Sequence, residues 1–152
     1  MKIYNIKDKP QFIREVAELT QEEWGKKVES KSEFEYKVNR KIEKINSRLD
    51  NPNFCILILF DEDVLIGFIA ILPKDGEYRV DLTPWYGMMY VKEEYRGYGH
   101  SKTLNRAILN EAHCRGIEKI YLKSDLVGYY EKFGAKYIET LSNGERLFYI
   151  EV

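Results

Sequence analysis

Arg96-Gly97-Tyr98-Gly99-His100-Ser101 follows an apolar run, Trp85 to Val91, and an acidic turn, and it leads into a stretch of helical spacing. A strand that passes through glycines into a helix leaves the helix's first backbone N–H groups unpaired, and such an end attracts anions. Glycine also lets the backbone approach a ligand, because a β-carbon there would hold a phosphate away. Arg96, permanently charged and fork-shaped, adds a bidentate donor for the same phosphate. The stretch lacks the third glycine of a dinucleotide-binding fingerprint and the Gly-Lys-Ser/Thr of a P-loop, so neither nucleotide mode fits. A glycine pair before a helix is by itself often only a tight turn. What sets this one apart is its spacing to a second stretch, rich in tyrosine and closed by glycine.

Arg96-x-x-Gly99-x-Ser101 follows a strand ending in Val91 and precedes, by about 30 residues, Tyr129-Tyr130-Glu131-Lys132-Phe133-Gly134-Ala135. This pattern resembles the GCN5-related N-acetyltransferase (GNAT) family, whose signature is Arg/Gln-x-x-Gly-x-Gly/Ala with a later Tyr-x-x-x-Gly. The resemblance covers most of the chain, with the specific motifs in residues 84–138. Two positions depart from the pattern. Ser101 stands where Gly or Ala is usual, and it is small enough to cap or enter a helix end. His100 stands where an aliphatic residue is more usual.

The resemblance implies that acetyl-coenzyme A lies along the glycine turn. Its pyrophosphate would be held by main-chain N–H groups of Gly97, Tyr98, Gly99, His100 and Ser101, with Arg96 opening the turn. The pantetheine arm would pair like an extra strand beside Met89, Tyr90 and Val91, between a fourth and a fifth strand that splay apart. The implied reaction is attack of a neutral amine on the thioester carbonyl. It needs an N–H donor for the oxyanion, expected from the main chain around Met89, and a proton for the departing sulfur. Tyr130 fits the last role by its spacing to Gly134, and its reference pKa of about 10 lies above the thiol's, about 8.5. An aromatic packed in the core is the plain alternative for any of the 12 tyrosines. Tyr129 points elsewhere along a helix.

No general base stands out. Glu22 and Glu23 lie where relatives often contact the acceptor, yet an exposed charged face accounts for them equally, and a water relay to a distant carboxylate is open. His100 reads as a main-chain ligand, and His113 as a favourable charge near a helix C-terminus. Lys102 and Arg106 read as solvated surface within reach of a phosphate. The expected activity is transfer of acetyl to a primary amine of a small molecule or a protein in a ternary complex. A non-catalytic coenzyme-A-binding sensor is the alternative. Acceptor choice is expected from residues 20–36 and 73–86, where Trp24, Trp85 and Tyr86 form either an aromatic wall or core.

These residues must be positioned by a fold, and the rest of the chain supplies its elements. Residues 2–6 read as a short edge strand. Asp8 and Pro10 open a helix whose apolar face, Phe12, Val16 and Leu19, runs to Trp24-Gly25. Ser32-x-x-Glu35 reads as a capping box before Phe34, Val38, Ile42, Ile45 and Leu49, and Asp50-Asn51-Pro52 ends that helix. The charges from Lys26 to Lys44 read as solvated helix faces. Phe54–Phe60 and Val64–Leu72 are apolar on both faces and form a central antiparallel hairpin. Glu77–Leu82 is loop or strand. After the glycine turn, Leu104, Ala107, Ile108 and Ala112 stripe a helix closed by Gly116. Ile117–Lys123 is a strand, Asp125 caps a short helix over 126–133, and Ser142-Asn143-Gly144-Glu145 joins two final strands as a hairpin. The expected fold is α/β (α+β): one domain over residues 1–152, with a mixed, mostly antiparallel sheet flanked by helices, an order that also looks like the GNAT fold.

With 152 residues the chain can bury a core without metals or crosslinks. Its 24 basic and 25 acidic side chains nearly cancel, which argues against a surface built for nucleic acid or anionic membrane. Cys55 and Cys114 lack metal-ligand spacing and read as buried thiols in a reducing compartment. No apolar run approaches membrane-spanning length and no signal-peptide core is present, so a cytoplasmic protein is expected. The expected partners are an amine acceptor and a second copy in a homodimer, without nucleic acid, membrane or metal.

Overall fold

The two central apolar runs pair as an antiparallel hairpin, β2 (Cys55–Asp61) and β3 (Val64–Leu72), in a computed structural model that describes all 152 residues. Around them assemble β1 (Lys2–Asn5), β4 (Trp85–Val91), β5 (Lys119–Ser124), β6 (Lys136–Thr140) and β7 (Arg146–Glu151). The seven-stranded sheet runs β1-β2-β3-β4-β5-β7-β6. Every pairing is antiparallel except β4 with β5. Three α-helices cover it: α1 (Ile13–Trp24), α2 (Lys31–Arg48) and α3 (His100–Cys114). This is the mixed, mostly antiparallel α+β architecture expected from the sequence.

The period-2 alternation of a strand sorts the core into two layers. Ile56, Ile58, Phe68 and Ala70 pack on the side of α1 and α2, with Ile13, Val16 and Ile45. Leu57, Leu59, Ile69 and Ile71 pack on the other side, against Leu104, Ile108 and Ala112 of α3. Both faces of β2 and β3 are thus covered, which is why those runs carry no polar alternation.

Several local expectations are corrected. Asp8 caps no helix: Asn5 Oδ1 accepts from Lys7 N–H at 3.0 Å, short 3-10 turns fill Ile6–Asp8 and Pro10–Phe12, and α1 begins at Ile13. The box before α2 is Ser30-x-x-Glu33 rather than Ser32-x-x-Glu35. Ser30 Oγ accepts from Glu33 N–H at 3.2 Å, and the Glu33 carboxylate accepts from Glu29 N–H at 3.3 Å. The earlier box wins because it adds helical bonds, the first from Phe34 N–H to the Ser30 carbonyl at 3.1 Å. Glu77–Leu82, left open between loop and strand, is loop. The helix expected over 126–133 shrinks to a 3-10 turn, Tyr130–Phe133. Gly128, at φ +79°, breaks it, and Ser124 Oγ and the Glu131 carboxylate accept the N–H groups of Leu126 and Gly128. Cys55 is buried as expected, whereas Cys114 is exposed at the end of α3, on that helix's outer face.

Candidate active site

The glycine turn has the geometry its composition promised. Gly97 and Gly99 adopt φ of +87° and +84°, left-handed values that a β-carbon would strain. A β-carbon built at either meets no atom within 4 Å, so the space beside the turn is open for a ligand. Gly99 is the N-cap of α3 and supplies no capping side chain. The first bond into it, Thr103 N–H to the Gly99 carbonyl at 3.3 Å, leaves the amides of His100, Ser101 and Lys102 without helical acceptors. Arg96 Nε donates to the Val91 carbonyl at 2.8 Å and its guanidinium stands 5.9 Å from the Tyr90 ring, which fixes the fork at the mouth of the turn.

These residues line one groove of about 390 Å³, from Met89, Tyr90 and Val91 along Arg96, Gly97 and Gly99 to His100 and Ser101. The structure therefore brings together the residues singled out along the glycine turn and strand. Tyr98 is the exception: three-quarters exposed, its side chain turns outward, leaving only its main chain to the turn. Glu23 also reaches this groove, on the turn side rather than the acceptor side.

The strand leading to the turn is irregular where it meets the groove. Between the pairs Phe68↔Tyr90 and Ala70↔Gly87, two residues of β4, Met88 and Met89, oppose one of β3. Met88 sits at φ +55°, a conformation rare for a non-glycine residue. Such a bulge takes main-chain groups out of the ladder and re-aims them. On its other side β4 holds β5 through a single registered pair, Trp85↔Tyr121, so beyond that point the two strands part. A pantetheine-like chain of amides needs this kind of free strand edge.

A second cavity, about 600 Å³, opens between α1, α2 and the parting strands, and Met89 lines both it and the groove. Tyr130 and Tyr86 form its inner wall, ring centroids 5.6 Å apart and edge to face. The Tyr86 hydroxyl is buried without a hydrogen-bond partner. Burial, reinforced by neighbouring Tyr129, raises the Tyr130 pKa, so its hydroxyl holds its proton through the neutral range. Tyr129 points the other way: its hydroxyl donates to Ser101 Oγ at 3.1 Å, while Asn105 Nδ2 donates to the Ser101 carbonyl at 2.9 Å. Ser101, the departure from the signature, is thereby tied to the tyrosine stretch.

Of the aromatic trio, Trp85 is core, fully buried with Nε1 donating to the Leu82 carbonyl at 2.8 Å. Tyr86 is cavity wall, and half-exposed Trp24 stands at the mouth. Glu22 does not reach either cavity.

Sequence reasoning did not single out Asp75, which lay unremarked within the 73–86 stretch expected to set acceptor choice. It lies on the cavity wall, with Oδ2 3.8 Å from where a β-carbon of Gly87 would sit. Burial raises its pKa above the usual carboxylate range, with Lys123 opposing the shift and Glu145 adding to it. Lys41 and Lys44, read as solvated surface, also line this cavity. The helical spacing of Lys41, Lys44 and Arg48 with buried Ile45 was the available signal.

A family model described as acetyltransferase (GNAT) family matches residues 13–135. No curated protein matches the chain. Among solved structures, aminoglycoside 6'-acetyltransferase type Ii superposes with a TM-score of 0.71 at 21% identity, over 99% of this chain and 97% of that one. PaiA N-acetyltransferase from Thermoplasma acidophilum, in complex with coenzyme A, gives 0.62 at 20% identity over the whole of both chains. A spermidine N-acetyltransferase SpeG chimera from Vibrio cholerae and hSSAT gives 0.68 at 17%, over 99% and 96%. At these identities the likeness establishes the fold.

Proposed function

The chain belongs to the acetyltransferase (GNAT) family, whose co-substrate is acetyl-CoA, and from that premise we propose that it acetylates a primary amine bound in the larger cavity, with Tyr130 as proton donor. The observation that carries this reading is the meeting of groove and cavity at Met89, beside the β4 bulge. Open space at Gly97 and Gly99, free amides at the start of α3 and the unpaired β4 edge fit a coenzyme with a pyrophosphate and an amide-bearing arm.

Bound there, acetyl-CoA supplies acetyl as an activated thioester. Amides of His100 and Ser101, with Arg96, hold the diphosphate, and the main chain of Met89 to Val91 pairs with the arm. A main-chain N–H near Met89 donates to the carbonyl oxygen as charge builds there. The amine nitrogen forms its bond to the carbonyl carbon as the carbon–sulfur bond breaks. Tyr130 gives its proton to the sulfur, and Asp75, a carboxylate made more basic by burial, takes the one the nitrogen sheds. The products are an amide and a thiol.

The acceptor is a small molecule or an amino group on a protein. Small-molecule amines, aminoglycosides and spermidine, are named for the structural neighbours above. Thiol release from acetyl-CoA across an amine panel tests the reading. Tyr130→Phe is expected to lower kcat about 10²-fold while the acetyl-CoA Kd stays within about twofold. Unchanged kcat would remove Tyr130 from the mechanism. Coenzyme binding without acetylation of any amine would favour a sensor.

A further inference from the structure

We propose that the acceptor amine also carries an anionic group, a carboxylate or a phosphate, which docks on Lys41, Lys44, Arg48 and Lys74 while its amino end faces Asp75. The proposal deepens the reading above and rests on it. The chain as a whole is balanced, 24 basic to 25 acidic side chains. The acceptor cavity is not: Lys41, Lys44, Arg48, Lys74 and Lys123 line it against Asp75 and Glu145, five cations to two acids.

The arrangement separates the signs. Lys123 lies at the Asp75 end, its Nζ donating to the Asp75 carbonyl at 2.8 Å. The other four cations come from two different segments. Lys41, Lys44 and Arg48 recur at i, i+3 and i+7 along α2, a stripe of about 10 Å, and Lys74 precedes Asp75 in the β3–β4 connection. None of the four has a carboxylate within ion-pair distance, although the chain holds seven ion pairs elsewhere. The dipole of α2 accounts for Lys44 and Arg48 near its C-terminus. It does not account for Lys41, or for Lys74 converging from another segment.

Partial burial and mutual repulsion depress the pKa of Lys41, by burial first and then Lys37, and of Lys44, by burial first and then Arg48, Lys41 and Lys74. Charges held together at such a cost are relieved by an anion between them. The same wall repels a polycation, so a polyamine or aminoglycoside approaching Asp75 meets four like charges on the way. An amine with its own anion satisfies both ends at once.

Two readouts test this with coenzyme A chemistry intact: thiol release from acetyl-CoA, and calorimetric binding of the amine to the coenzyme-A-saturated protein. The matched probes are phosphoethanolamine against ethanolamine, glycyl-glutamate against glycyl-glutamine amide, and spermidine as polycation. The expected result is a kcat/KM about tenfold or more higher for an anionic member than for its neutral match, with spermidine lowest. The phosphate and carboxylate pairs show which anion is read. Lys44→Glu with Arg48→Glu is expected to abolish that preference, with acetyl-CoA binding as the check on folding. Equal or better use of neutral amines or spermidine, or a preference that survives charge reversal, overturns the proposal while leaving acetyl transfer in place. If no amine is acetylated yet an anionic probe binds and the double variant loses it, catalysis falls and anion recognition stands. Absence of both turnover and binding for every anionic probe overturns the proposal as well.

Discussion

Asp75, the proposed base, links the proposed chemistry to stability through one carboxyl group. Its pKa is raised in the folded state by burial, against Lys123 and with Glu145, so the folded chain holds that proton more tightly than the unfolded chain does. The contribution to stability is favourable at low pH and is lost as pH rises through the folded pKa. Asp75→Asn is therefore expected to raise Tm at pH 7.5 relative to the native chain, with the gap closing toward pH 4, and to reduce kcat/KM; thermal unfolding across that range checks the sign. A native chain that is the more stable at neutral pH would mean the carboxylate is held by an attractive partner. The thiols offer a simpler check. Burial pushes the Cys55 thiol up to about 11, whereas Cys114 is exposed. Native protein should incorporate one equivalent of iodoacetamide, and denatured protein two.

At the scale of elements, α2 begins at Ser30, and the choice between overlapping Ser-x-x-Glu boxes is directly measurable. Ser30→Ala should cost about 1 kcal/mol, lowering Tm by about 3 °C. Ser32→Ala should cost less, because the Ser32 hydroxyl caps no backbone N–H and meets only the Ser30 hydroxyl, at 3.2 Å. The sequence reading takes the later box, Ser32-x-x-Glu35. The one that closes is the one whose serine sits at the N-cap: Ser30 is extended, φ −139° and ψ 158°, whereas Ser32 already lies inside α2. The β4 bulge is of the same kind. Its sequence, Gly87-Met88-Met89, carries no glycine at the strained position, and Met88 is driven to positive φ by the mismatch between β3 and β4. The exposed glycine turn, by contrast, was readable because only glycine adopts those angles without strain.

The whole molecule places two cavities on either side of one residue, and coenzyme binding to the first should be felt throughout the fold. Acetyl-CoA at 100 times its Kd adds about 2.7 kcal/mol, or about 8 °C in Tm for a domain of this size; differential scanning fluorimetry measures it, and the absence of any shift at millimolar coenzyme would unseat the groove as a binding site. Much of this architecture was legible beforehand. The elements along the chain, the central hairpin and the fold class follow from apolar runs and helical stripes, and the residues along the groove follow from the glycine and tyrosine motifs through the family they resemble. What lay beyond the sequence was everything that depends on distant segments converging. The parting of β4 from β5, expected only through the family resemblance, follows from pairings on both sides, and Asp75 becomes a partly buried carboxylate only when Gly87 of β4 and Lys123 of β5 come beside it. The lysines of α2, indistinguishable on a helical wheel from solvated surface, become a cationic wall because Lys74, about 30 residues further along the chain, arrives opposite them. Local patterns persist in a linear string because they act over a few residues, whereas burial and electrostatic environment are sums over neighbours that the chain acquires by folding.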